Sequence, residues 1–371
     1  MIVEIIKYRG FRNIDEQILS FENGVNILYG ENAQGKTNAL EGIYLFAHGK
    51  SFRTQNDRDM VSFNSNKTFL EMIYEEDERK KELYFELFKT KRRICKINKA
   101  PAKLSEIIGM FRAVLFCPDH LAIVKNGPGE RRSFLNGAIC QLKPFYLKSL
   151  QRYNHILEQR NVLIRQSEEN PQKYKGLIDI YSEELAKEAA YIYLVRRDYI
   201  NKLSEIVSLF FDEMSKGEKV SLRYKNSLKD YNGEDKNEII NKYYELFCID
   251  REREIATGAT LHGIHRDDLE IYLDNKEARL YASQGQQRSI SLAFKLAEGE
   301  ISKNETGMYP VFLFDDVLSE LDSDRQKFVL KSLKNRQVII TSCNISGFND
   351  DILKNSSLIN VKNGVYLKEN A

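Results

Sequence analysis

The sequence predicts an α/β fold with an inserted α-helical arm. Three observations carry that expectation. Apolar strands interleave with helices near both ends of the chain, residues 30–37 form a glycine-rich turn between a strand and a helix, and from Glu130 to about Lys216 only helical spacing is found. The expected divisions are 1–125 for the first part of an α/β head, 126–216 for the arm, and 217–371 for the rest of the head.

Taken in order, Val3–Lys7 alternates polar and apolar residues, and Gly24–Tyr29 is a short strand that stops at Gly30. Leu40, Ile43, Tyr44 and Ala47 then repeat at helical intervals. Residues 69–97 read as antiparallel strands joined by charged turns, and the run around Leu115 as a buried strand ending at Pro118. After Gly127-Pro128-Gly129, helical spacing runs through Phe134, Ala138, Leu142, Tyr153, Ile156 and Ile164. It resumes past Pro171 through Leu177, Tyr181, Leu185 and Ile192, the outline of an arm folded back on itself. Pro144 should break its first half. Strands return at Val220–Tyr224, Leu269–Leu273, Val311–Phe314 and Gln337–Thr341, with helices after Ser283 and between the last two. Such interleaving favours a largely parallel sheet with a ligand at its carboxyl ends.

Composition excludes more than it assigns. A net charge of +2 over 371 residues announces no bulk attraction to nucleic acid, so any such role rests on local clusters. The five cysteines, Cys95, Cys117, Cys140, Cys248 and Cys343, are scattered without a CxxC pair, which argues against a zinc site or a disulfide framework. No run approaches the ~18 apolar residues of a membrane span, and a cytoplasmic protein is expected.

Gly30-Glu31-Asn32-Ala33-Gln34-Gly35-Lys36-Thr37 satisfies G-x-x-x-x-G-K-[ST] with a strand before it and a helix after it. The glycines let successive amides point inward at an anion, and the helix adds its positive end. Lys36 is expected on the β- and γ-phosphates of ATP, and the Thr37 hydroxyl on Mg²⁺. A second carboxylate is needed for the metal. Val311–Phe314 places Asp315 at a strand end to hold it, and Asp316 beside the γ-phosphate to polarise water.

These two halves of one site lie near opposite ends of the chain, unlike those of simple P-loop kinases. The separation points to ABC-type ATPase heads that work on DNA. Ser283-Gln284-Gly285-Gln286, ahead of a helix, then reads as a signature. Ser283, Gly285 and Gln286 would dock on the γ-phosphate of a partner subunit, and Ser319-Glu320-Leu321-Asp322 would align the two heads. The densest basic run, Lys89, Lys91, Arg92, Arg93 and Lys96 with Lys99 and Lys103, lies beside Tyr84, Phe85 and Phe88. On a hairpin it could follow a phosphate backbone. Lys50, Arg53 and Arg131-Arg132 are secondary candidates. His265-Arg266-Asp267-Asp268 reads equally as a catalytic cluster or a turn-stabilising ion network. No base-reading motif is present, so contact with DNA structure or backbone is expected.

The chain as a whole resembles the RecF family of bacterial recombination-repair ATPases. The resemblance rests on GENAQGKTN at Gly30–Asn38, GKSFRT at Gly49–Thr54, and FCPDHLAIVKNGPGERRSFLN at Phe116–Asn136. LHGIHRDDLE at Leu261–Glu270, SQGQQRS at Ser283–Ser289 and FDDVLSELD at Phe314–Asp322 complete it in order. It implies an ABC-type, SMC-like head with a helical arm, an ATP-driven homodimer, slow DNA-dependent hydrolysis, and binding to gapped or junction DNA. It also implies work with RecR and RecO to load RecA. A different SMC-like head, or an ATP-regulated scaffold with little turnover, is the alternative. Three departures stand out. Asp316 takes the place of the glutamate usual in ABC transporters. Thr341-Ser342 stands where many such ATPases carry a switch histidine. No Q-loop glutamine is evident, the turn at Pro118-Asp119 being the place to look.

Overall fold

The computed structural model describes residues 1–118, 123–168, 171–215, 217–229, 231–318, 321–346, 348 and 350–369. The chain opens with β1 (Ile2–Phe11), β2 (Ile14–Ser20), β3 (Val25–Tyr29), α1 (Lys36–His48), β4 (Lys67–Glu76), β5 (Arg79–Phe88), β6 (Ile94–Ile97), β7 (Ala100–Ala102), α2 (Leu104–Ile107) and β8 (Ala113–Phe116). The middle holds α3 (Pro128–Leu142), α4 (Pro144–Gln166), α5 (Pro171–Met214), β9 (Val220–Lys225), α6 (Lys236–Ile249), α7 (Arg251–Thr257), β10 (Asp268–Leu273), β11 (Lys276–Glu277) and α8 (Ala278–Tyr281). Last come α9 (Gln284–Thr306), β12 (Val311–Asp315), α10 (Ser323–Ser332), β13 (Val338–Ser342), α11 (Asp350–Lys354), β14 (Ser356–Lys362) and β15 (Val365–Lys368). These group into two compact units: Met1–Ala122 with Leu209–Gly217 and Gln284–Ala371, and Ile123–Ser208 with Glu218–Ser283.

The first unit contains two sheets. One runs β15-β14-β3-β13-β12-β8, parallel except for the β14–β15 pair. Strand β12, paired with β13 on one side and β8 on the other, is buried at every residue, which is why Val311–Phe314 is apolar without alternation. The other, β2-β1-β4-β5-β6-β7, is antiparallel, and Thr68, Leu70, Met72 and Tyr74 of β4 alternate inward. Helix α1 packs in one cluster with residues of both sheets, so Ala39–Ala47 are all buried. The opposite face of the parallel sheet is covered by Leu292 and Leu296 of α9, Val329 of α10 and Leu333 just past its end. The parallel sheet expected from the sequence is therefore one of two.

The second unit joins α3, α4 and residues 171–208 of α5 to α6, α7 and a small sheet of order β11-β10-β9. It takes in 218–283, expected from the sequence in the head; isolated strand patterns do not reveal which core they cover. Pro144 does separate α3 from α4, standing in the first turn of the latter where its missing N–H is harmless. Buried arginines tie the helices together. Arg160 donates to Ser182 Oγ (2.9 Å), Thr260 Oγ1 (2.7 Å), the Phe247 carbonyl (2.9 Å) and Glu254 (2.7 Å). Arg196 donates to Tyr146 Oη (3.0 Å), the Ile264 carbonyl (2.7 Å) and Asp267 (3.1 Å).

Candidate nucleotide site

The glycine-rich turn leaves β3 at its carboxyl end and enters α1. Gly30 has φ 152°, and a Cβ there would stand 2.3 Å from the Val361 carbonyl oxygen. Gly35 has φ 113°, and a Cβ there would meet Asn13 Oδ1 at 2.8 Å. Neither position accepts a side chain. Ala33 between them is left-handed at φ 63°. The β14–β15 turn holds the loop from outside. The Gly364 amide donates to the Gln34 carbonyl (2.8 Å) and the Asn363 amide to Gln34 Oε1 (2.6 Å), while Tyr366 Oη donates to the Gly35 carbonyl (2.7 Å). Lys36 folds back over the loop, its Nζ donating to the carbonyls of Gly30 (2.7 Å) and Glu31 (2.8 Å). The first turn of α1 carries no acidic side chain of its own to compete with an anion for the positive end of its dipole.

Strand order brings the second half of the site to this loop. β13 lies between β3 and β12, with Thr341 opposite Leu28 on one side and Asp315 on the other. Asp315 Oδ1 accepts from Thr37 Oγ1 (2.8 Å) and Thr341 Oγ1 (2.9 Å). Burial pushes its carboxyl above the usual range, and these two hydroxyls pull it back. Asp316 is left-handed at φ 56°, a conformation uncommon outside glycine, and its amide donates to Thr341 Oγ1 (3.0 Å). One threonine hydroxyl therefore bonds the Asp315 carboxylate and the Asp316 backbone together. Thr37 and Asp315 present hard oxygen donors side by side. Among the described residues no group of three or more His, Cys, Asp or Glu forms a metal cluster. That donor set suits Mg²⁺, which takes one or two protein oxygens and completes its octahedron from phosphates and water.

Sequence reasoning stopped at Thr341-Ser342 and missed Cys343. Its thiol donates to Asn32 Oδ1 of the loop (2.9 Å) and lies 3.7 and 3.9 Å from the carboxylate oxygens of Asp316. Burial and the neighbouring Asp316 raise its pKa, so it sits there as a neutral thiol. The only signal in the sequence was its place just past a buried strand.

The loop opens into a cavity of about 860 Å³, of the size a nucleoside triphosphate needs. Asn32–Asn38, Asp316 and Thr341 line one part of it, and Arg12, Arg53, Arg58 and Lys89 with Asp15 and Asp59 are among the residues lining the rest. Arg12 forks onto buried Glu41 (2.9 and 2.5 Å), and Arg53 donates to Asn38 Oδ1 (2.8 Å). None of the described residues lining this cavity comes from Ser283–Gln286. Ser283 is exposed just ahead of α9, and Gly285 and Gln286 lie in the first turn of that helix. Of the expected aligning loop, Ser319 and Glu320 lie outside the described residues, as does Asp119 of the expected Q-loop turn. Asp322 caps α10 by accepting from the Arg325 amide (2.9 Å).

The basic run divides. Lys91 lies over the Phe88 ring (4.0 Å) and Lys96 over Tyr84 (4.9 Å), with Arg92 exposed beside them. Lys89 donates to the Phe63 carbonyl (3.1 Å). Arg93 is different. Its guanidinium pairs with Asp57 and donates to the Gly49 carbonyl (2.6 Å), so the expectation that it contacts DNA is corrected to a structural tie. Arg131 is likewise buried, forked onto Asp268 (2.7 and 2.9 Å). The His265–Asp268 cluster forms the ion network of the second unit. Asp267 bonds Arg196 and Tyr224, and His265 contacts Tyr153 Oη (2.7 Å) and the Thr260 carbonyl (3.2 Å).

Comparison with known proteins agrees with this geometry. The family model for the RecF/RecN/SMC N-terminal domain matches residues 2–366. A protein of Clostridioides difficile named DNA replication and repair protein RecF is 38% identical over 366 residues, spanning 98% of this chain and 97% of its own. One of the same name from Bacillus cereus is 36% identical over 368 residues, spanning 98% of both. A solved structure of the recombination mediator protein RecF with ATP superposes with a TM-score of 0.93 at 34% identity, covering 100% of this chain and 98% of that one. An Smc head from Pyrococcus furiosus shares the fold at a TM-score of 0.55 and 17% identity, covering 99% of this chain and 96% of that one. The chain belongs to the RecF/RecN/SMC N-terminal domain family, an α/β ABC-type ATPase head fold, and proteins named RecF are among its full-length relatives.

Proposed function

We propose that this chain is an ATP-dependent DNA-binding ATPase of recombinational repair and replication. Two copies close on ATP with Mg²⁺, hold gapped or junction DNA without reading its sequence, hydrolyse ATP slowly, and help load RecA with RecO and RecR. The observation that carries the reading is the pairing of Thr37 with Asp315 across the strand order β3-β13-β12, at the mouth of a loop that excludes side chains at Gly30 and Gly35. Relatives named for DNA replication and repair, and RecF structures with ATP, support it.

In this reading the amides of Glu31–Gly35 and the α1 dipole bind the phosphates, and Lys36 turns from the loop carbonyls to the β- and γ-oxygens. Thr37 and Asp315 hold Mg²⁺, which when bound neutralises charge developing on the phosphoryl oxygens. Asp316, held by Thr341 on its amide and faced by Cys343, orients the attacking water. A carboxylate one methylene shorter than glutamate reaches it less well, which fits slow turnover. Ser283, Gly285 and Gln286 close the site of the second copy.

DNA contact is assigned to Lys91, Arg92 and Lys96, of which Lys91 lies over Phe88 and Lys96 over Tyr84 of β5, whereas Lys89 lines the nucleotide cavity. The test is affinity for gapped, duplex and single-stranded DNA with and without ATP, over a range of salt. Binding should strengthen with ATP, and replacing Lys91 and Arg92 by Ala should flatten the dependence of log affinity on log salt by about one per lost phosphate contact. Binding indifferent to ATP on every substrate would sink the proposal in favour of a nucleotide-regulated scaffold.

A further inference from the structure

Arg325, in the first turn of α10, gives its guanidinium to three groups on two segments. Nε donates to Ser289 Oγ (2.9 Å), a buried hydroxyl of α9, and Nη2 to the Gly285 carbonyl (3.2 Å). Nη1 pairs with Asp322, whose carboxylate also caps α10 through the Arg325 amide. The neighbouring Gln326 reinforces the same junction, its Nε2 donating to the carbonyls of Leu318 (2.7 Å) and Leu321 (3.1 Å). Leu318, Leu321 and Asp322, which follow Asp316, are thus each tied to α10. Through one side chain this stretch is also fastened to the turn that carries Gly285 and Gln286. Only a planar, five-donor group reaches these partners together; a lysine ammonium, a single point, does not.

We propose that Arg325 is a positioning residue that fixes the Gly285–Gln286 turn to the segment leaving Asp316. The nucleotide state of one copy's site then sets the geometry of the surface it offers to the γ-phosphate of a second copy. The proposal rests on the composite-site reading above. Arg325 lines neither the P-loop nor the cavity, so it acts on the partner's site and not on ATP binding by its own chain.

The test uses the full-length chain and ATP with Mg²⁺. Arg325→Ala should bind ATP as a monomer within about twofold of wild type, yet self-associate in ATP at least about tenfold more weakly and turn over correspondingly less, as loss of charge-assisted bonds implies. Arg325→Lys, which keeps the charge and stem but not the fork, should show the same split more mildly. It carries the comparison if the alanine variant does not fold. The decisive readout is mixing. In a heterodimer of Arg325→Ala with Lys36→Ala, the first chain supplies an intact P-loop and the second an intact signature. Turnover should therefore exceed the sum of the two variants alone, approaching half that of wild type per dimer. Wild-type association by both Arg325 variants would overturn the proposal, as would loss of monomer ATP binding or failure of the mixture to recover. Absence of ATP-driven association in the wild-type chain would instead overturn the composite site itself, and with it the role given to Arg325.

Discussion

Thr341 shows how much one hydroxyl can decide. It donates to buried Asp315 and accepts the amide of left-handed Asp316, so a single side chain bonds the proposed metal ligand and the backbone of the proposed water-orienting residue. Thr341→Val keeps the shape and removes both bonds. It should destabilise the first unit by about 1–3 kcal/mol in urea unfolding, since the Asp316 amide loses its acceptor. It should also cut turnover by about tenfold or more while changing ATP affinity less. A wild-type rate would dissociate Thr341 from the chemistry. The sequence marked this position only by what it lacks, a histidine, and Cys343 not at all. Each acts through partners some 300 residues away in the chain or on another strand, and no local spacing encodes that. Gly30–Thr37 was legible because its requirements are local: two positive-φ glycines, a lysine and a hydroxyl in one turn. Arg93 misled for the opposite reason, because its partner Asp57 lies on a different segment and the basic run looks continuous without it.

At the level of elements, the strands were legible and their partners were not. Val311–Phe314 reads as buried because it is apolar on both faces, yet only the fold reveals that β13 separates it from β3. β9 and β10 read as strands, but not as part of the second unit, where Asp267 and Asp268 at the start of β10 meet Arg196 and Arg131. That unit should be sensitive to acid through His265. Burial lowers its pKa to about 4 from 6.5. Its neutral ring donates from Nε2 to the Thr260 carbonyl and accepts from Tyr153 at Nδ1. The depressed value means that the unfolded chain takes up the proton first. The stabilisation is complete above pH 6.5 and is lost as pH falls toward 4, about 3 kcal/mol in all at 1.36 kcal/mol per unit. Asp267, pushed upward by burial, works in the opposite sense: its contribution is present at low pH and declines as pH rises. It is common to wild type and His265→Gln, so their difference isolates the histidine. Unfolding free energies measured from pH 7 to pH 4 should fall more steeply for wild type than for the glutamine variant; parallel curves would reject the assignment.

At the scale of the whole molecule, ATP on the Gly30–Thr37 loop is proposed to act as a junction between two copies. In the proposed reading, Lys36 and the paired Thr37 and Asp315 form the phosphate and metal half of the site within one chain. The Ser283–Gln286 segment of a second copy is proposed to supply the other half. The most direct measurement is the solution mass of the full-length chain by light scattering, with and without ATP and Mg²⁺. It should be made for wild type, Lys36→Ala and Ser283→Arg, with nucleotide affinity measured in parallel. The mass of wild type should double on adding ATP. Lys36→Ala should neither bind nor dimerise, and Ser283→Arg should bind ATP normally and remain a monomer. A wild-type mass unchanged by ATP, or doubling undiminished in Ser283→Arg, would contradict it.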